Sequence, residues 1–191
     1  MRRTLQNNVR TETRKPERRR VSWLPMVVIG GTVLLYLAVA PVGGTVVRAP
    51  EFSFDDINPR SATFGQTLAL GDLYSERGMV LNFIASWCEI CRNELPDLQE
   101  LHANSQAPIV FIAADEHGAP DSLLIVAERN ELTAPILFVP QERVEEVERR
   151  FSYEILPATY LIDRGGAIRL AHEGALPVAR LVSKMESALG L

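Results

Sequence analysis

Cys88 and Cys91 are the only cysteines in the 191-residue sequence, and Glu89 and Ile90 separate them. Two thiols at that spacing leave three readings open: a redox pair, half of a metal site, or chance. Their setting favours the redox pair. A nearly continuous apolar run, Met79-Val80-Leu81-Asn82-Phe83-Ile84-Ala85, leads into Trp87-Cys88, and Leu95, Leu98 and Leu101 recur behind Cys91 at helical spacing. Where a strand passes into a helix, the first thiol meets free backbone N–H groups and the positive end of the helix dipole, which favour a thiolate. A Cys88 thiolate could attack a partner's disulfide and form a mixed disulfide. Cys91 would then attack the Cys88 sulfur and release the partner reduced. That chemistry needs no cofactor. His102, His117 and His172 are scattered and share no ligand spacing with the cysteines, so no metal site is expected.

The elements that must position this pair read as an alternating α/β chain. Met79–Ala85 and Pro108–Ala114 are apolar enough for central strands covered on both faces. Pro96 lies inside the helix after Cys91 and should kink it. Before these, Phe52 and Phe54 alternate as in a short strand, Gly65–Leu70 reads as another, and Gly71-Asp72-Leu73 as the turn leaving it. Asp121 is placed to cap a helix through Asn130, and Ile136–Val139 is a short strand. Val144, Val147 and Phe151 line the buried face of the next helix, whose wet face offers the i,i+4 pairs Glu145–Arg149 and Glu146–Arg150. Leu156-Pro157 enters a strand, Arg164-Gly165-Gly166 turns it, and Ala167–Leu170 returns. Pro177 opens a last helix with Val178, Leu181, Val182, Met185 and Leu189 on one face. Helical crossovers make the earlier strands parallel; the Pro-led pair reads as antiparallel. The fold class is therefore a mixed α/β sheet flanked by helices.

Charge divides the chain. Residues 1–22 carry eight Lys/Arg against two acids, whereas residues 48–191 carry twelve against 22. An acidic main domain argues against nucleic acid as its partner. Residues 1–22 read as a basic cytoplasmic tail. Val21 to Val47 contains no charged residue, and residues 23–47 are long and apolar enough for a transmembrane anchor in the lipid bilayer. A cleaved signal sequence ending at Ala38-Val39-Ala40 is the rival; Pro41 after the cut and the apolar continuation to Val47 favour the anchor. With positive charge inside, the expected localisation is the cytoplasmic membrane, crossed once, with the C-terminal domain on the periplasmic (extracytoplasmic) side. Residues 48–62 form a linker and domain edge, and residues 63–191 the main domain.

Trp87-Cys88-Glu89-Ile90-Cys91 after Leu81-Asn82-Phe83, then Glu94-Leu95-Pro96, then Leu156-Pro157-Ala158-Thr159-Tyr160-Leu161-Ile162-Asp163 with Gly165-Gly166, resembles the thioredoxin superfamily. Within it, the chain is similar to the TlpA/ResA/CcmG-type membrane-anchored thiol-disulfide oxidoreductases. The resemblance implies a thioredoxin-like sheet preceded by one transmembrane helix, and roles residue by residue. Cys88 is the exposed nucleophile and Cys91 the buried resolving thiol. Pro157 is a cis-proline facing the dithiol, with the Leu156 backbone pairing to a bound substrate peptide. Glu94 stands where this branch has a glutamate near the dithiol. Plain thioredoxins have a buried aspartate where this chain has Asn82, and Asn cannot take a proton, so Glu94 is the candidate for moving one to or from Cys91. The resemblance also implies disulfide-bearing client proteins, often apocytochromes whose cysteines are kept reduced, and a membrane protein as electron donor. A client-specific maturation factor of the MauD type, an oxidant, and a tethered binding module remain alternatives. A peroxidase has less support, because Ala85-Ser86-Trp87 does not resemble the Thr-x-x-Cys arrangement of peroxiredoxins.

From the residues alone, Trp87 is either core packing or a shield for the dithiol, and Glu94 either a functional acid or a first-turn glutamate favoured by the helix dipole. Asp115, Glu116 and His117 end the second buried strand, where α/β sheets can present ligand-facing groups, but they read better as solvated loop residues.

Overall fold

The computed structural model describes residues 46–74, 76–105, 108–115 and 120–190. The tail, all of the anchor except Val46 and Val47, and Glu116 and His117 lie outside the described residues. Among the described residues no helix is long and apolar enough to cross a membrane.

Seven strands form one sheet in the order β2-β1-β5-β4-β3-β6-β7. They are β1 (Ser53–Asp56), β2 (Thr67–Ala69), β3 (Met79–Ile84), β4 (Ile109–Ala113), β5 (Ile136–Phe138), β6 (Ala158–Ile162) and β7 (Ile168–Glu173). The helices are α1 (Leu70–Tyr74), α2 (Glu89–Asn104), α3 (Pro120–Arg129), α4 (Val144–Phe151) and α5 (Val178–Leu189). β3, β4 and β5 are parallel, and β6 runs antiparallel to β3 and to β7, as the crossover pattern requires.

β3 and β4 are buried along their whole length, which is why their sequences lack alternation. The pleat sends successive side chains to opposite cores. Val80 and Ile84 pack with Cys91, Leu95 and Leu98 of α2, Leu123 of α3, and Leu181 and Met185 of α5. Leu81 and Phe83 pack on the other face with Leu70 of α1 and with Val144, Val147 and Phe151 of α4. Burying a side chain of this size stabilises by roughly 1.5–3 kcal/mol.

Several local expectations shift. The turn expected at Gly71–Leu73 is the short helix α1, because Leu70 inserts fully into the second core. Asp121 lies inside the first turn of α3 rather than capping it. β7 extends to Glu173, beyond the expected Leu170. Glu146 of α4 pairs with Arg150 at 3.6 Å and also with Arg143 at 3.4 Å. α2 continues through Pro96, which has no N–H to offer the Arg92 carbonyl.

In the 48–62 segment, Arg48 bridges Ala167 beside β7, and β1 pairs with both β2 and β5. Buried Asp56 accepts the Asn58 and Ile136 N–H groups at 3.0 Å each. Asn58 Nδ2 donates to the Leu132 and Ala134 carbonyls at 2.9 and 2.8 Å. These bonds tie β1 to the entry of β5. Gly78 turns into β3 at φ +77°, and a Cβ there would lie 2.6 Å from the Ile162 carbonyl oxygen. Only glycine fits both constraints.

Candidate active site: the dithiol at the head of a helix

β3 ends at Ile84, and four residues later Cys88 caps α2 in an extended conformation (φ −76°, ψ 99°). Cys88 and Cys91 are joined in a disulfide. Cys88 Sγ accepts the Cys91 N–H at 3.1 Å, so the sulfur occupies the place of a capping oxygen. A thiolate there faces a free N–H and the helix dipole. The exposure contrast implied by the resemblance is small in this oxidised form: Cys88 is 4% exposed and Cys91 1%.

The turn before Cys88 is held from two sides. Asp115, 2% exposed at the end of β4, accepts the Ser86 N–H at 2.7 Å. Arg92 Nη1 donates to the Ser86 carbonyl at 2.8 Å, and the Cys88 N–H donates to the Ala85 carbonyl at 3.1 Å. Asp115 is therefore not the solvated loop residue expected. It is desolvated because β4 ends beneath the Ser86 turn.

Pro157 follows a cis peptide bond after Leu156. The β3–β6 ladder ends at Phe83↔Ala158. Leu156 and Pro157 therefore lie at the end of the sheet where β3 runs into the dithiol turn. Leu156 packs against the core that contains both cysteines. A carboxylate again fixes this loop: Glu173 Oε2 accepts the Glu154 and Ile155 N–H groups at 3.0 and 2.9 Å. The Gly174 N–H closes it by donating to the Pro157 carbonyl at 2.8 Å.

Trp87 is 53% exposed, which removes the core-packing reading. Ile90 is 51% and Ile155 61% exposed. Large apolar side chains also occur singly elsewhere, as at Phe64 and Ile125. Around the dithiol, the Trp87 turn, the first turn of α2 and the loop before Pro157 present three of them, the kind of apolar rim that marks a docking surface.

Glu94 lies one turn after Cys91 on α2 and in the second turn, deeper than the dipole-favoured position expected; Glu89 holds the first-turn place. Its Oε1 accepts the Leu176 N–H. Burial pushes the Glu94 carboxyl above its ordinary value, against the opposing pull of the Leu176 N–H and His172; Asp97 adds to the rise. A half-buried acid raised in this way is suited to carrying a proton. Asn82 on β3 is buried, donates from Nδ2 to Thr159 Oγ1 at 3.0 Å, and leaves Oδ1 without a hydrogen-bond partner. No titrating group occupies that position.

The structure thus brings Trp87, Cys88, Cys91, Leu156 and Pro157 to one end of the sheet, with Glu94 on the dithiol helix. Ser86, Arg92, Ile155 and Glu173 were not singled out from the sequence. Ile155 carried one signal, an apolar residue beside a loop proline; the others act through main-chain contacts that residue type does not announce.

A disulfide closed across the first turn of a helix, on a mixed sheet opposite a cis-proline loop, defines the thioredoxin-like class of thiol–disulfide exchange proteins. The AhpC/TSA family model matches residues 47–171. Thiol-disulfide oxidoreductase ResA of Geobacillus thermodenitrificans is 30% identical over 82% of this chain and 92% of its own length. The ResA of Geobacillus kaustophilus is 32% identical with the same coverage. Among solved structures, the thiol:disulfide interchange protein DsbE of Chlorobium tepidum superposes with a TM-score of 0.64 at 24% identity, covering 77% of this chain and 99% of that one. The chain belongs to the thioredoxin-like AhpC/TSA family, and its activity class is thiol-disulfide oxidoreductase.

Proposed function

We propose that residues 23–47 hold this domain on the extracytoplasmic side of the cytoplasmic membrane, where Cys88 and Cys91 reduce disulfides of client proteins. The observation that carries the reading is the disulfide at the head of α2, set between the exposed apolar side chains of Trp87, Ile90 and Ile155. A client disulfide enters between the Trp87 turn and the Leu156–Pro157 loop. The Cys88 thiolate attacks one client sulfur, and the other leaves as a thiolate. Cys91 gives up its proton, with Glu94 as acceptor, and attacks Cys88 Sγ. The client leaves with both cysteines reduced, and the Cys88–Cys91 disulfide remains.

Each turnover then requires two electrons from outside the domain, so a membrane electron donor is part of this proposal. The sequence resemblance points to clients with closely spaced cysteines, such as apocytochromes awaiting haem. An equilibrium titration of Cys88–Cys91 against dithiothreitol tests the direction. A potential near that of thioredoxin, about −270 mV, supports the reductase; one near about −120 mV makes the protein an oxidant. Labelling Cys88 in intact cells with a membrane-impermeant thiol reagent, after reduction, tests the location. Labelling only after lysis overturns it.

A further inference from the structure

We infer that Asp115 and Arg92 are positioning residues that grip the Ser86 backbone, one at its N–H and the other at its carbonyl, and so hold Cys91 within reach of Cys88 during the resolving step. Asp115 takes the Ser86 N–H at 2.7 Å, and Arg92 binds the Ser86 carbonyl at 2.8 Å. The two groups reach this residue from different parts of the fold. Asp115 lies two residues past the end of the central strand β4, whose parallel pairing with β3 runs to Ile84↔Ala113. Arg92 stands on α2 immediately after Cys91. The grip therefore links the segment that carries Cys88 to the turn that carries Cys91, and fastens both to the sheet.

In the oxidised protein the disulfide makes this link redundant. In the mixed disulfide that bond is absent, and Cys88 carries a partner able to pull on the Trp87–Cys88 turn. The separation of the two sulfurs then depends on the contacts that remain. Hydrogen bonds to charged groups are the stronger ones, and Asp115 is buried from competing water. The resolving step is sensitive to this geometry because it is intramolecular, and a misplacement of about 1 Å can cost 10²-fold. The Cys91 thiolate bonds to Cys88 Sγ, the bond from Cys88 to the partner sulfur breaks, and the partner leaves as a thiolate that takes up a proton. Cys91 is oxidised and the partner sulfur reduced.

The inference rests on dithiol exchange and not on location or client. The experiment uses the full chain in detergent and glutathione as the probe. At fixed ratios of reduced to oxidised glutathione, the population of Cys88–glutathione adduct reports the effective concentration of Cys91 toward Cys88. Asp115→Ala and Arg92→Ala should each lower that concentration roughly tenfold and raise the adduct in proportion, below the 10²-fold ceiling for such misplacement. Arg92→Lys should recover most of the loss. The double variant should cost less than the sum of the two singles, since both groups hold the backbone of one residue. If the variants match the wild-type adduct population while their thermal midpoints fall, the two residues are merely structural and the inference is overturned. If Asp115→Ala does not fold, the Arg92 pair decides the question alone. A wild-type chain that takes up no glutathione at Cys88 at any ratio would defeat the exchange reading itself.

Discussion

The two ends of the sheet are built on the same device and used differently. At the far end, where β6 turns into β7, Asp163 Oδ1 accepts the Gly165 and Ala167 N–H groups at 2.8 and 2.9 Å, and Arg169 binds its other oxygen. At the dithiol end, Asp115 and Glu173 accept backbone N–H groups in the two loops that flank Cys88. Both ends thus rest on carboxylates that replace missing backbone partners. The side chains around them differ. The far end holds a shallow depression of about 500 Å³ lined by Glu76, Arg77, Asp163, Arg164 and Arg169. The dithiol end exposes Trp87, Ile90 and Ile155. This charged depression is not where the chemistry is: thiol exchange needs a sulfur that a folded partner can touch, and an apolar rim serves that better than a charged hollow.

The largest effect that would sharpen this contrast is at Cys91. Replacing it with Ser leaves Cys88 able to attack and unable to be released. Turnover should be lost, and a mixed disulfide with the client should accumulate, visible as a reductant-sensitive band on non-reducing gels. The same substitution should leave the far end untouched, so the domain should melt as the reduced wild type does. An active Cys91→Ser chain would break the two-thiol mechanism.

Glu94 comes next. If it moves the Cys91 proton, Glu94→Gln should slow the resolving step by about 10²-fold, the lower range of acid–base contributions. It should also remove an acidic limb from the rate–pH profile. Stability gives an independent sign. Burial raises this carboxyl in the folded state, so the folded chain holds its proton longer than the unfolded one. That contribution is complete below the unfolded value and is lost as pH rises through the folded value. Glu94→Gln should flatten this decline in denaturant titrations across the mildly acidic range. A profile unchanged in both rate and stability would leave Glu94 as a plain contact to Leu176.

The rim should show a smaller and more selective effect. Trp87→Ala with Ile155→Ser removes apolar contact area without touching sulfur. KM for a protein client should rise about tenfold, equivalent to about 1.4 kcal/mol of lost docking. The rate of reduction by dithiothreitol should stay at the wild-type value. Equal losses toward both reductant and client would mean that the rim supports the dithiol turn instead of greeting the client.

These tests also mark what residue types could announce. Cys88 and Cys91 were legible because they are the only two cysteines and stand where a strand passes into a helix; the cis-proline at Pro157 was legible only through the family resemblance. Both cores were legible in the nearly continuous apolar run of β3, the apolar run of β4 and the stripes of α4 and α5. Asp115 was not, because an acid after a strand is ordinarily solvated. Its burial depends on where the Ser86 turn lies, a tertiary fact. Arg92 and Glu173 read as surface charges for the same reason: their partners are main-chain groups, and every residue has those. Trp87 stayed open between packing and a place beside the dithiol, since an aromatic beside an apolar strand is often packed inside; only its exposure in the fold decides against packing.

The smallest predicted effect lies at the far end, and it tests whether that end is structural alone. Burial would raise the Asp163 carboxyl, but the Ala167 N–H, Arg169 and the Gly165 N–H outweigh it and hold the group below its ordinary value of 3.8. A lowered carboxyl contributes stability above the unfolded value, and that contribution disappears as pH falls through the folded one. Asp163→Asn should therefore cost the fold about 1 kcal/mol near neutral pH, a typical hydrogen-bond loss. The variant should also lose less stability than wild type as pH drops below about 4, where carboxylates of this kind titrate. Exchange with dithiothreitol and with client should not change, because β6 separates this turn from Pro157 by its whole length. A change in client KM from Asp163→Asn would mean that the far end also takes part in recognition, and the division of labour between the two ends would have to be redrawn.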